Sequence, residues 1–257
     1  METPTLAVLG GNGFLGSYLI EYFSKLDFAV TGITRENYND YTDSHFDILI
    51  NANGNSKRFW ANQNPALDFE ASVISVKNSI EKFRFEKYVF ISSSDVYPNH
   101  GEPERTTETE VINESKLEAY GLHKYQAEQL VKALPEFLIF RCSAMIGKNL
   151  RKGVIKDILD SKNVFVTLDS YLQCIPCSEI ARSIAHFLGS TLTNDMYNCG
   201  GQGSVKVSEI MHILGTQVGI QSDAQKQAYE MDVRKLHNLV QLKSSTEYLQ
   251  AFAETIK

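Results

Sequence analysis

The stretch Leu6-Ala7-Val8-Leu9-Gly10-Gly11-Asn12-Gly13-Phe14-Leu15-Gly16 constrains this chain more than any other. An apolar run short enough for one buried strand leads directly into spaced glycines, and an amphipathic segment follows with Leu15, Leu19, Phe23 and Leu26 on one face. The glycines have separable jobs. One permits positive φ in a tight turn, one lets the backbone approach a pyrophosphate, and one lets the helix pack closely on the strand. The amides at the helix start then face an anion. Strand, glycine turn and helix in this order predict a dinucleotide cradle.

The rest of the composition narrows the class. A chain of 257 residues with 43% hydrophobic and 22% charged residues is ordinary for a globular protein with one large core or two modest ones. A net charge of -6 argues against a general nucleic-acid binder, because phosphate contacts require clustered Lys and Arg. No apolar run approaches membrane-spanning length, and the glycine strand starts too early to leave room for a signal peptide, so a cytoplasmic location is expected. Four cysteines, Cys142, Cys174, Cys177 and Cys199, are expected to be free thiols. Cys174-Ile175-Pro176-Cys177 has no second CxxC or Cys/His pair at zinc spacing. It reads as a strand leading to a helix, and no metal is expected.

Further along, Phe28 to Ile33 reads as a second strand, with Thr34 and Arg35 at its carboxyl end. That position touches the adenosine ribose in such folds, and a basic residue there suits a 2'-phosphate. Arg35 therefore favours NADP over NAD, a solvated loop arginine being the competing explanation. Phe46 to Ala52 is the next strand, reached after too few residues for a helix and another strand between, so one βα unit is trimmed. A loop from Asn53-Gly54 leads to a helix over Pro65 to Phe83, then to the strand Tyr88 to Ser92 with Ser93 and Ser94 at its polar end. Pro98 to Asn113 is a polar, acidic loop of the length that borders active sites. A long helix is predicted over Glu114 to Ala133, where Tyr120 and Lys124 fall on one face, and Phe137 to Phe140 is the next buried strand. Beyond Arg141 the alternation loosens into short mixed segments, among them Val154 to Leu159, Val164 to Leu168, Ile180 to Leu188, Tyr197 to Cys199 and Val207 to Leu214, before a last helix over Ser245 to Thr255. The expected fold is α/β, a Rossmann-type doubly wound parallel sheet over roughly 1–147 with a small, mixed C-terminal lobe over roughly 148–257.

With the glycine turn, Ser92-Ser93-Ser94-Asp95-Val96-Tyr97 and Tyr120-Gly121-Leu122-His123-Lys124 read together, the chain resembles the extended short-chain dehydrogenase/reductases, more narrowly the NAD-dependent epimerase/dehydratase family, whose members mostly act on nucleotide sugars. Arg141-Cys142-Ser143-Ala144-Met145-Ile146-Gly147 is similar to that family's Arg-Pro-Ser turn, with Cys142 in place of the proline, and Tyr197-Asn198-Cys199-Gly200-Gly201 to its late strand and glycine loop.

The resemblance implies roles residue by residue. Ser93 matches the hydroxyl that hydrogen-bonds the substrate oxygen, Tyr120 the acid/base, and Lys124 the lysine that binds the nicotinamide ribose and favours the phenolate. A phenol with a reference pKa near 10 is a poor base at neutral pH, and a nearby cation favours its ionised form. Cofactor contacts would come from Gly10, Gly13, Phe14, Leu15, Gly16, Arg35 and Lys124, and substrate contacts from Ser94, Asp95, Asn149 and Arg151. Lys148 and Lys152 flank those last two, and a charged helix start explains them equally well. Sugar dehydratases of the family carry an Asp-Glu pair where this chain has Ser94 and Asp95, which argues against dehydration. Asp95 stands where related enzymes keep a base. His123, His186 and His212 show no partner pattern beyond packing or surface.

The resemblance implies an oxidoreductase that reduces the 4-keto group of a nucleotide-activated sugar with NADP or NAD. The rivals are a 4-epimerase on a retained NAD, a reductase of a non-sugar carbonyl, and a cofactor-sensing binding protein without chemistry. A homodimer pairing through the helices at Pro65 to Phe83 and Glu114 to Ala133 is also implied. Neither a nucleic-acid nor a membrane partner is expected.

Overall fold

A computed structural model describes residues 3–189 and 194–256. In chain order the elements are β1 (Thr5–Leu9), α1 (Phe14–Phe23), β2 (Ala29–Ile33), β3 (His45–Asn51), α2 (Arg58–Gln63), α3 (Pro65–Phe69), α4 (Ser75–Lys82), β4 (Arg84–Ser93), α5 (Ala119–Lys132) and β5 (Phe137–Cys142). They continue with β6 (Ala144–Ile146), α6 (Val154–Leu159), β7 (Val164–Val166), β8 (Tyr171–Leu172), β9 (Cys174–Pro176), α7 (Cys177–Leu188), β10 (Asp195–Cys199), β11 (Val205–Lys206), α8 (Val207–Leu214), β12 (Ile220–Gln225), β13 (Ala228–Tyr229), α9 (Arg234–Val240) and α10 (Ser245–Thr255). The chain divides into two compact units. The first takes Met1–Pro98, Val111–Arg141 and Ala181–Tyr197, and the second takes Asn99–Glu110, Cys142–Ile180 and Asn198–Lys257.

The first unit is built on a six-stranded sheet in the order β10-β5-β4-β3-β1-β2, with β1 parallel to both β2 and β3, and β3 parallel to β4. It is a Rossmann-type α/β sheet. Alternation along the strands explains why both faces are dry. Ala7, Leu9, Leu49, Tyr88, Phe90 and Ile139 join Val76 of α4 and Ala127 and Val131 of α5 in one core cluster. Their strand neighbours Leu6, Val8, Ile48, Ile50, Val89, Ile91 and Leu138 are buried too, as a sheet covered on both faces requires. Between β2 and β3 lies a single 3-10 turn, Tyr38–Tyr41, which agrees with the trimmed unit read from the sequence.

The second unit carries three small sheets, β11-β8-β13, β12-β7 and β6-β9. Gln173 ties it internally: its Nε2 donates to the carbonyls of Gly201 and Met231 at 2.8 and 3.0 Å, and its Oε1 accepts from the Met231 amide at 3.1 Å.

Several boundaries move from their expected places. The helix expected from Glu114 starts at Ala119, because Asn113 accepts the Ser115 amide in a local turn and Leu117 and Glu118 are extended. The segment from Pro65 is not uniform either, since a π turn over Glu70–Ile74 separates α3 from α4. α1 ends at Phe23, so Leu26 lies beyond it and is exposed. The helix α2 falls in a stretch expected to be loop.

Candidate active site

The glycine turn owes its shape to missing side chains. Gly10 has φ of 81°, and a Cβ on Gly16 would lie 2.1 Å from the Gly10 carbonyl oxygen, a distance no side chain tolerates. The Gly10 and Gly11 amides both donate to the Ile33 carbonyl, at 2.9 and 3.0 Å, which ties the turn to the end of β2. No side chain caps α1 at Gly13, and the first bond back along the helix runs from the Ser17 amide to the Gly13 carbonyl at 3.1 Å. The amides of Phe14 and Leu15 therefore open the helix, and with backbone this bare around them the turn fits a pyrophosphate.

Arg35 is exposed on the turn after β2. Asn37 builds that turn: its Oδ1 accepts from the Thr34 amide at 2.7 Å, and its Nδ2 donates to the Gly32 carbonyl at 3.1 Å.

At the end of β4, Ser93 and Ser94 are both buried. Ser93 Oγ donates to Asp95 Oδ2 at 2.9 Å and accepts from the Asp95 amide at 3.2 Å. Arg58 Nη1 meets the other oxygen of Asp95 at 3.4 Å. The helix α5 is pressed against this strand end. A Cβ on Gly121 would lie 2.1 Å from the Asp95 carbonyl oxygen, so glycine alone allows the first turn of α5, which includes Tyr120, to approach Asp95 so closely. One turn further on, Lys124 is buried, donates weakly to the Ile91 carbonyl at 3.4 Å, and has its ammonium 5.3 Å from the centre of the Phe90 ring. The same ammonium lies 3.7 Å from where a Gly54 side chain would begin. Ser93 at the end of β4, Asp95 in the 3-10 turn Ser94–Val96 after it, and Tyr120 and Lys124 on α5 thus stand on contacting elements of one unit. Asn149 and Arg151 belong to the other unit, exposed on the turn before α6, where Asn149 adopts φ of 64°.

Three features behind this arrangement escaped the sequence reading. Arg141 and Glu128 form a buried ion pair, with Nε donating to Oε1 at 2.9 Å and Nη2 to Oε2 at 2.6 Å. Ser92 donates to the same Glu128 at 2.6 Å, and Arg141 Nη1 donates to the Tyr97 hydroxyl at 2.8 Å. Burial disfavours the guanidinium's charge, but the Glu128 carboxylate and the Tyr97 oxygen outweigh it and raise the Arg141 pKa. An arginine inside the apolar strand Phe137–Cys142 was the signal that an acid must face it. His123 is a correction: it pairs with fully buried Asp68 at 2.7 Å, and Asp68 also accepts from Asn55 at 2.8 Å. Asn62, the third, supplies the α5 start with an acceptor, the Tyr120 amide donating to its Oδ1 at 3.2 Å.

Cys174 and Cys177 stand in a strand and at the start of a helix, and burial pushes both thiols up to about 12. Among the described residues no helix is long and apolar enough to cross a membrane.

Comparison with known proteins bears on this geometry. Solved structures share the fold: a UDP-galactose 4-epimerase has a TM-score of 0.80 at 21% identity, covering 98% of each chain. A dTDP-4-dehydrorhamnose reductase from Bacillus anthracis str. Ames in complex with NADP has a TM-score of 0.80 at 19% identity, covering 99% of each. A UDP-glucuronic acid 4-epimerase from Bacillus cereus in complex with NAD has 0.77 at 19%, covering 98% of this chain and 96% of that one. At such identities the likeness is one of fold. A search of curated protein sequences finds no match. The sequence profile of the NAD dependent epimerase/dehydratase family matches residues 6–166, which takes in the glycine turn, Ser93, Tyr120 and Lys124. A match over more than half of the chain makes this protein a member of that family.

Proposed function

We propose that this protein is an NAD(P)-dependent oxidoreductase that reduces the 4-keto group of a nucleotide-activated sugar. The observation that carries the reading is the close approach of α5 to the turn after β4, where glycine at 121 lets the first turn of the helix that carries Tyr120 meet the Asp95 backbone. Gly10, Gly13, Phe14, Leu15 and Gly16 would hold the dinucleotide's pyrophosphate, Arg35 the adenosine side, and Lys124 the nicotinamide ribose. A bound nicotinamide supplies the hydride. Ser93 hydrogen-bonds the carbonyl oxygen, and Tyr120 donates a proton to that oxygen as it becomes a hydroxyl. Lys124 favours the phenolate that remains, which makes Tyr120 the stronger acid toward the substrate oxygen, and solvent then returns the proton to the phenolate. Ser94, Asp95, Asn149 and Arg151 are assigned to substrate. In the same reading, roughly 148–257 mainly serves the substrate and two copies pair through α3, α4 and α5.

A second reading, a 4-epimerase with retained NAD, is favoured by the epimerases among the structures of like fold. The deciding experiment is to denature freshly purified protein and identify by mass any nicotinamide nucleotide released. An empty site that then binds NADPH supports the reductase. NAD held near one per subunit supports the epimerase and removes Arg35 as a phosphate ligand. Uptake of neither nucleotide overturns both. Tyr120→Phe is expected to abolish turnover while keeping cofactor affinity, and an active variant would sink the mechanism.

A further inference from the structure

Between β3 and α3 lies the six-residue helix α2, Arg58–Gln63. Arg58 and Asn62 are four residues apart, so they share one of its faces. Both reach the candidate pair. Arg58 meets Asp95 Oδ1 at 3.4 Å, and Asp95 Oδ2 accepts the Ser93 hydroxyl proton at 2.9 Å. Asp95 holds the single Ser93 hydrogen here, and Ser93 must turn that hydrogen to the carbonyl oxygen to act on it, so Arg58, by engaging Asp95, sets how readily it turns. Asn62 works on the other partner. Glu118 gives α5 no side-chain cap, the first bond within the helix is from the Leu122 amide to the Glu118 carbonyl, and the Tyr120 amide donates instead to Asn62 Oδ1 at 3.2 Å. Asn62 Nδ2 also donates to Glu118 Oε2 at 2.5 Å. α2 itself is held by fully buried Ala61 and is stopped at Asn64 by Pro65.

We propose that α2 is a clip that positions the Ser93-Tyr120 pair, with Arg58 and Asn62 as its positioning residues. The inference rests on the reading above, in which Ser93 and Tyr120 do the chemistry. Arg58 engages Asp95, which holds the Ser93 hydrogen, and Asn62 fixes the first turn of α5, which carries the Tyr120 ring.

The test measures kcat with NADPH and dTDP-4-dehydrorhamnose, and with NAD and UDP-galactose, as keto and hydroxyl probes, alongside NADPH affinity by fluorescence. Arg58→Gln and Asn62→Ala are each expected to lower kcat on the order of tenfold, as a small misplacement of reacting groups does. NADPH affinity stays unchanged, which also reports that the variants fold. Arg58→Lys restores the charge and most of the rate. Asn62→Asp combined with Glu118→Gln keeps an acceptor on the Tyr120 amide and does the same. Because Arg58 acts through Ser93, Arg58→Gln has no further effect in a Ser93→Ala background. An equal loss in that background, or unchanged kcat in both single variants, overturns the clip and leaves the Ser93-Tyr120 chemistry standing. A wild type that takes up neither NADPH nor NAD overturns the two together.

Discussion

Arg141 at the end of β5 and Glu128 on α5 hold each other through two parallel hydrogen bonds, at 2.9 and 2.6 Å, out of contact with water. The strand and the helix that carries Tyr120 and Lys124 are thereby locked in register. Removing one partner leaves the other charge buried and unpaired. Glu128→Ala is expected to lower stability by about 3–5 kcal/mol in urea unfolding, whereas replacing both by methionine costs far less.

Gly16→Ala places a methyl 2.1 Å from the Gly10 carbonyl oxygen, and backbone must move to admit it. Stability is expected to fall by about 1–3 kcal/mol. Displacing the turn also weakens NADPH by about tenfold or more, equivalent to about 1.4 kcal/mol, on fluorescence titration.

Arg35 is a test of cofactor choice that leaves the rest of the site untouched, since its side chain is exposed. Loss of one charge-assisted contact predicts that Arg35→Ala weakens NADPH by about tenfold and leaves NADH unchanged. Equal affinities for NADPH before and after the substitution would remove Arg35 from the site.

The buried thiols give a pH dependence of definite sign. Cys174 and Cys177 are pushed up to about 12 by burial, whereas unfolded thiols ionise near about 8.5. The folded state keeps protons that the unfolded state releases, so this stability is complete below the unfolded value and is lost as pH rises toward the folded one. The urea midpoint is expected to fall between about pH 8 and about pH 10. The fall should be shallower in a Cys174→Ala, Cys177→Ala variant. All four cysteines are buried, so native protein should react with a thiol reagent only after unfolding.

What could be read in the sequence was what local period and spacing control. The glycine turn announces itself because Gly10, Gly13 and Gly16 follow a strand, and Tyr120 and Lys124 share a helix face by their spacing alone. The ends of the strands, with Ser93 at one and Arg35 just past another, follow from where apolar runs stop. What stayed hidden depends on partners brought together by folding. Asp68 and His123 are separated by 55 positions, and Asn62 and Tyr120 by 58, so neither periodicity nor propensity links them. α2 is short, and a six-residue helix is stable through its tertiary contacts, which no local pattern records.

The turn beyond β2 is closed by the chain's own Asn37, which bonds both the Thr34 amide and the Gly32 carbonyl. A molecule arriving beside Arg35 meets backbone that is already ordered. Binding there forfeits little conformational entropy beyond that of the Arg35 side chain, about 0.5–1.5 kcal/mol for one long residue. Asn37→Ala should therefore slow capture and weaken affinity without removing a single contact to the bound molecule.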